Sequence, residues 1–121
     1  MTLLRIAVVA LALIQGGWMA FDGTRALTIG DYVTPSTGPY AGQLGPWHYA
    51  VEAVGIPGRS TAMKLIFVLF GVAWIVVALA FARHAPWARS AILAMAVASL
   101  WYLPLGTLVG MLVLVGAYIA R

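Results

Sequence analysis

Three acidic residues, Asp22, Asp31 and Glu52, are the only candidate general acids or bases of carboxylate type in the chain, and all lie between residues 22 and 64. Paired carboxylates do general acid–base work when a fold brings them to one substrate. Their spacing does not by itself bring these three together. Asp22 stands at the mouth of the first apolar run, where three roles compete: acid–base chemistry, an ion pair with Arg25 three positions on, and a cap for a short helix at 23–27. His48 lies between Trp47 and Tyr49. It is the one candidate ligand for a pigment, cofactor or metal, against the alternative of an interfacial histidine flanked by rings. Gln15 is an amide within an apolar run, where an interhelical hydrogen bond competes with a substrate contact. Asp31 and Glu52 complete this set of polar candidates. No nucleophile motif, phosphate loop or metal-ligand cluster accompanies them, so the sequence assigns no catalytic residue and no metal site.

Composition names the solvent that must surround these groups. Of 121 residues, 64% are hydrophobic and 8% charged, against roughly a quarter charged in soluble domains. A small domain buries the smallest fraction of its surface and could not hide so much apolar area from water. An all-α polytopic membrane protein follows, a single membrane domain over residues 1–121. The net charge of +4 comes from bases scattered singly, without the clustering that nucleic acid requires. There is no cysteine, which excludes disulfides and thiolate sites.

In chain order, the first expected span covers residues 3–21, and its nineteen positions reach about 28 Å, near the ~30 Å hydrocarbon thickness. Arg5 sits at its end and can snorkel. A signal peptide cleaved after Ala20 would place bulky Trp18 where a small residue is needed, so a retained span is expected. Ala12, Gly16 and Ala20 recur every four residues and form a groove for close helix approach. The insert at 22–64 holds four of the six prolines, with an expected bend at 34–35, a turn at 35–39 and a short interfacial helix at 47–54 begun by Pro46. Such a loop is expected to be a compact cap. Ser60 or Thr61 caps the next helix, and the second span covers 65–82, with Trp74 packed inside a bundle. Residues 90–120 carry no charge and would make a helix of about 46 Å. Pro104 and Gly106 offer a turn that divides this stretch into spans at 87–103 and 105–120. Gly106 and Gly110 form a second close-contact pair. The expected fold is thus a four-helix transmembrane bundle with a structured extracytoplasmic loop between the first and second spans.

Four spans put Arg5, Arg83, Arg89 and Arg121 on one side with no acids, while the insert balances three bases with three acids. The positive-inside rule places both termini in the cytoplasm and the insert outside. A haem held by two histidines is excluded on this layout, since His48 and His84 fall on opposite faces. In size the chain resembles the small multidrug transporters. Their membrane-embedded glutamate has no counterpart here, and the amide of Gln15 does not titrate.

The stretches G-D-Y-V-T-P, L-G-P-W, S-T-A-M-K and W-Y-L-P-L-G-T resemble those of a family of small bacterial four-span membrane proteins, and the layout is loosely DoxX-like. The resemblance implies a multi-pass protein of the bacterial cytoplasmic (inner) membrane and transfers no functional residue. Two functions are weighed. One is a non-catalytic accessory or structural subunit that packs against a larger membrane-protein complex through its small-residue faces and aromatic-rich insert. The alternative is a lipid- or quinone-binding protein or enzyme using the carboxylates of the insert. Membrane lipids, including bound lipid, and larger membrane proteins are the expected partners, and nucleic acid is not one.

Overall fold

The structure, a computed structural model, describes residues 2–34, 39, 42–102 and 105–119. The expected bend at 34–35, the turn at 35–39, the Pro104 break and the Arg121 terminus lie wholly or partly outside these residues. Among the described residues the chain forms five helices and no strand: α1 (Leu3–Ile29), α2 (Trp47–Ala53), α3 (Thr61–Ala82), α4 (Ala88–Ala98) and α5 (Leu105–Ile119). Of these, α1 and α3 are long and apolar enough to cross a membrane.

Local chemistry sets the ends of these helices. The Thr2 hydroxyl accepts from the Arg5 backbone N–H at 3.2 Å and opens α1. The helix then runs eight residues beyond the expected span end at 21, because nothing between Asp22 and Ile29 breaks it. Gly30, in the left-handed region at φ 111°, ends it and donates its N–H to the Ala26 carbonyl. That conformation suits glycine, which has no Cβ to clash. The insert therefore begins at Gly30 rather than at 22. Ser60 caps α3 through a 3.2 Å bond from the Met63 N–H, and the helix begins at Thr61, four residues before the expected start of the second span. Helix α4 is helical only to Ala98, not to 103. The Thr107 hydroxyl donates to the Leu100 carbonyl at 2.6 Å, and the Gly106 and Thr107 N–H groups both turn to the Tyr102 carbonyl. These bonds reverse the chain early.

The four longer helices pack in a closed ring of neighbours, with α1 against α3 and α5, and α4 against α3 and α5. Their order is up-down-up-down. Arg5 at the start of α1 meets Phe81 at the end of α3, and Arg89 at the start of α4 meets Ala117 and Tyr118 at the end of α5. Small residues set the separation of the axes. A Cβ on Gly16 would lie 2.7 Å from the Gly71 carbonyl, and one on Gly71 would collide with the Ala20 backbone. Between α4 and α5, a Cβ on Gly110 would lie 2.7 Å from the Ala96 carbonyl, and one on Gly106 would collide with the Ser99 carbonyl. Two bonds between side chains cross the bundle among the described residues: Trp74 Nε1–H to Ser99 Oγ at 2.8 Å and Trp18 Nε1–H to Tyr102 Oη at 2.9 Å. Arg5 does not snorkel outward. It is 6% exposed, lies 3.9 Å over the Phe81 ring and donates to the Phe81 carbonyl, a placement that the negative end of the α3 dipole favours.

Candidate functional site

Apart from Gln15, the polar candidates gather at one end of the bundle, under and within the cap. An aromatic cluster forms its base: Tyr32, Trp47 and Phe67 pack with centroids 4.7–5.4 Å apart, and Trp47 also faces Trp101 and Tyr102 at 6.2 Å. Trp47, the first residue of α2, is buried and anchors the insert to the helices.

Asp22 forms neither the expected pair with Arg25 nor a cap for a helix at 23–27, because it lies within α1. It is 4% exposed, and its carboxylate accepts the Val33 N–H at 2.6 Å. Arg25 instead donates to the Asp31 and Tyr32 carbonyls at 2.8 and 2.9 Å. The two side chains, three residues apart on one face of α1, thus both hold the returning chain. Removing the acceptor with Asp22→Leu should orphan a partly buried N–H, a cost of about 1–3 kcal/mol. Asp22→Asn keeps an acceptor and should retain most of that stability. Chemical unfolding in detergent checks the order, and equal losses in the two variants would remove the bond to Val33 as the cause.

Asp31 accepts the Tyr32 N–H at 2.9 Å and the Arg59 Nε–H at 3.0 Å. Partial burial pushes its carboxyl upward, but the Arg59 hydrogen bond, the Tyr32 backbone bond and the charges of Arg59 and Lys64 outweigh it and hold the group below the usual carboxylate range. Both partners are about half exposed, so the pair positions the chain more than it stabilises it. Burial, with the Asp22 and Asp31 charges adding to it, pushes the Tyr32 hydroxyl upward. That hydroxyl is buried without a hydrogen-bond partner among the described residues.

Glu52 and His48 stand one turn apart on α2, with Nδ1 3.1 Å from Oε2. The same oxygen accepts the Gly58 N–H at 3.3 Å. The His48 ring stacks on Tyr49 at 3.9 Å. Beside them opens a cleft of about 510 Å³, lined by Gln43, Leu44, His48, Tyr49, Glu52 and Arg59 among others. The cap therefore brings Glu52 and His48 together, sets Asp31 on Arg59 at the edge of the same cleft, and leaves Asp22, on α1, bonded to Val33. No group of three or more metal-ligating side chains exists among the described residues.

Gln15 sits apart from the cap, fully buried in the bundle. Among the described residues its amide makes no interhelical bond. Nε2–H donates to Met19 Sδ on the same helix at 3.3 Å, and Oε1 has no partner among the described residues. Of the expected packing residues, Ala12 and Gly16 are buried, Ala20 lies against Gly71, and Gly106 and Gly110 face α4. Sequence reasoning missed Gly23, which abuts Phe67 and Val68, and Gly71 and Gly116. Gly16 and Gly23 lie seven residues apart on α1, two helical turns, so they share a face, and that spacing was the available signal. Comparison with known protein families, with curated proteins and with solved structures finds no match.

Proposed function

We propose that the chain is a four-span protein of the bacterial cytoplasmic membrane, with both termini inside and the cap outside, and that it serves as a non-catalytic accessory subunit packed against a larger membrane assembly. The observation that carries this reading is the outer face of α4. Ser90, Ala94 and Ala98 are exposed there at intervals of four, with Val97 the larger side chain beside them, whereas α3 and α5 turn Leu65, Leu69, Val72, Leu108, Met111 and Leu112 outward. Large side chains suit lipid, and small ones at this spacing let another helix approach closely. With 11 and 15 residues, α4 and α5 reach only about 16 and 22 Å, which favours protein rather than lipid beside them. The carboxylates agree with a non-catalytic role, since each has a structural partner in the cap.

Extraction from native membranes in mild detergent should recover the chain with larger membrane proteins at fixed stoichiometry. Ala94→Phe should abolish that recovery while leaving the chain folded, because position 94 makes no demand on the bundle interior. Recovery of a solitary chain, or partners retained by Ala94→Phe, counts against the reading.

The topology has its own test, which the absence of cysteine makes clean. A single Gln43→Cys should react with an impermeant thiol reagent in intact cells, and Tyr118→Cys should not; both positions are exposed. Reaction at both sites would mean three spans, and reaction at 118 alone would invert the orientation.

A further inference from the structure

We propose that the end of the bundle opposite the cap binds the head group of an anionic phospholipid, with its phosphate held at the connection between α3 and α4. The charged side chains described at this end are all cations. Arg5 stands in the first turn of α1, Arg83 follows the last turn of α3, and Arg89 lies in the first turn of α4. The two ion pairs of the described residues, His48 with Glu52 and Arg59 with Asp31, both lie in the cap. Asp22, on the same helix as Arg5, is seventeen residues away. That is about 25 Å along the axis, well beyond the ~8 Å screening length of physiological salt.

The bonds these arginines make leave that charge unopposed. Arg5 is buried, rests on the Phe81 ring and donates to the Phe81 carbonyl, while its Nε–H has no partner among the described residues. Arg89 donates to the Ala117 and Tyr118 carbonyls. Carbonyls and a ring face orient a guanidinium without supplying an opposing unit charge, and a buried charge calls for a counter-ion. Arg83 is exposed and enters no ion pair among the described residues. Its planar fork matches a phosphate.

His84 points independently to the same connection. Its backbone is left-handed at φ 58°, the only non-glycine residue so placed among the described ones. The N–H groups of His84 and Ala85 turn back to the Phe81 and Ala80 carbonyls at 3.2 and 3.0 Å and close the end of α3. Glycine makes that closure without strain. An exposed imidazole stands there instead, beside Arg83, and adds a donor for the same anion.

Charge and surroundings select the ligand. A zwitterionic head group would bring an ammonium to an end with no described carboxylate to receive it, whereas an anionic one brings only the missing sign. Leu3, Trp87, Tyr118 and Ile119 are 54–85% exposed around this end, and Trp and Tyr rings favour head-group depth. Basic groups between helices at that depth hold lipid phosphates. The proposal rests on the membrane placement proposed above, but not on the accessory role or the orientation. Those two are read in cells and native membranes, whereas this site is read on the purified chain.

The full chain in dodecyl maltoside micelles is titrated calorimetrically with a short-chain phosphatidylglycerol, with the matching phosphatidylethanolamine and with inorganic phosphate. Saturable binding of phosphatidylglycerol is expected, about tenfold or more tighter than either of the others. It should weaken severalfold as salt rises from about 0.1 to 0.5 M. A base near an anionic surface contributes roughly fivefold, so Arg83→Gln should weaken binding by about that factor at an unchanged unfolding midpoint. His84→Gly separates folding from binding at its position. It relieves the left-handed backbone, so the midpoint should rise while the affinity falls. Phosphatidylethanolamine or inorganic phosphate binding as tightly as phosphatidylglycerol, or an affinity indifferent to both Arg83→Gln and His84→Gly, overturns the proposal.

Discussion

Gly71→Ala is expected to destabilise the bundle by about 1–3 kcal/mol, a loss of the size seen when a packed interior is overfilled. A single methyl group does this because of what it would strike. The Cβ would collide with the backbone N and Cα of Ala20, and a backbone cannot rotate aside as a side-chain tip can. The only relief is to move α1 and α3 apart, which loosens the contacts that Gly16 and Gly23 make along the same seam. In an unobstructed helix the same change should help, by up to ~1 kcal/mol. Gly17 supplies that reference, since a Cβ there meets nothing within 4 Å. Equilibrium unfolding in mixed micelles should therefore separate the two variants in opposite directions. Equal midpoints for Gly71→Ala and Gly17→Ala would show that the seam yields without cost.

Trp74→Ala should be the most damaging truncation. Trp74 is fully buried and is the largest such side chain among the described residues. In water-soluble cores the loss would be about 3–5 kcal/mol. On the proposed membrane placement the apolar transfer term largely falls away and the lost packing remains, so the lower end, ~3 kcal/mol, is expected. The hydrogen bond to Ser99 contributes a smaller share. Bonds of this kind between membrane helices average about 0.6 kcal/mol, so Trp74→Phe, which keeps a ring and removes the donor, should lose far less than Trp74→Ala. If Trp74→Phe proved as harmful as Trp74→Ala, the hydrogen bond rather than the packing would hold α3 to α4.

Punctuation was legible in the sequence and partnership was not. Pro46 before Trp47 announces α2, Ser60 announces α3, and the turn chemistry before Leu105 announces α5, because each acts on its own neighbours. The polarity of the stretch from Asp22 to Ile29 points to an insert with at most a short helix at 23–27, whereas it is the end of α1. A helix needs no apolar face where it rises into a cap, and Gly23 sits inside it because α3 passes too close for a Cβ. The shortness of α4 was hidden because its apolar run continues through the turn that ends it. Asp31 and Arg59 are 28 residues apart in sequence, and Asp22 and Val33 are 11 apart. No periodicity links such pairs, so their bonds emerge only once the chain has folded back.

The burial of Trp47 also sets an order of events during synthesis. This residue, which fastens the cap, rests on Trp101 and Tyr102 as well as on Tyr32 and Phe67. The ribosome completes the cap more than forty residues before it reaches Trp101. On the proposed topology the cap crosses the membrane while half of its seat has yet to be made. It must wait on the far side with an indole exposed, and only the arrival of the last hairpin lets it close. In this chain the lid is made before the vessel is complete.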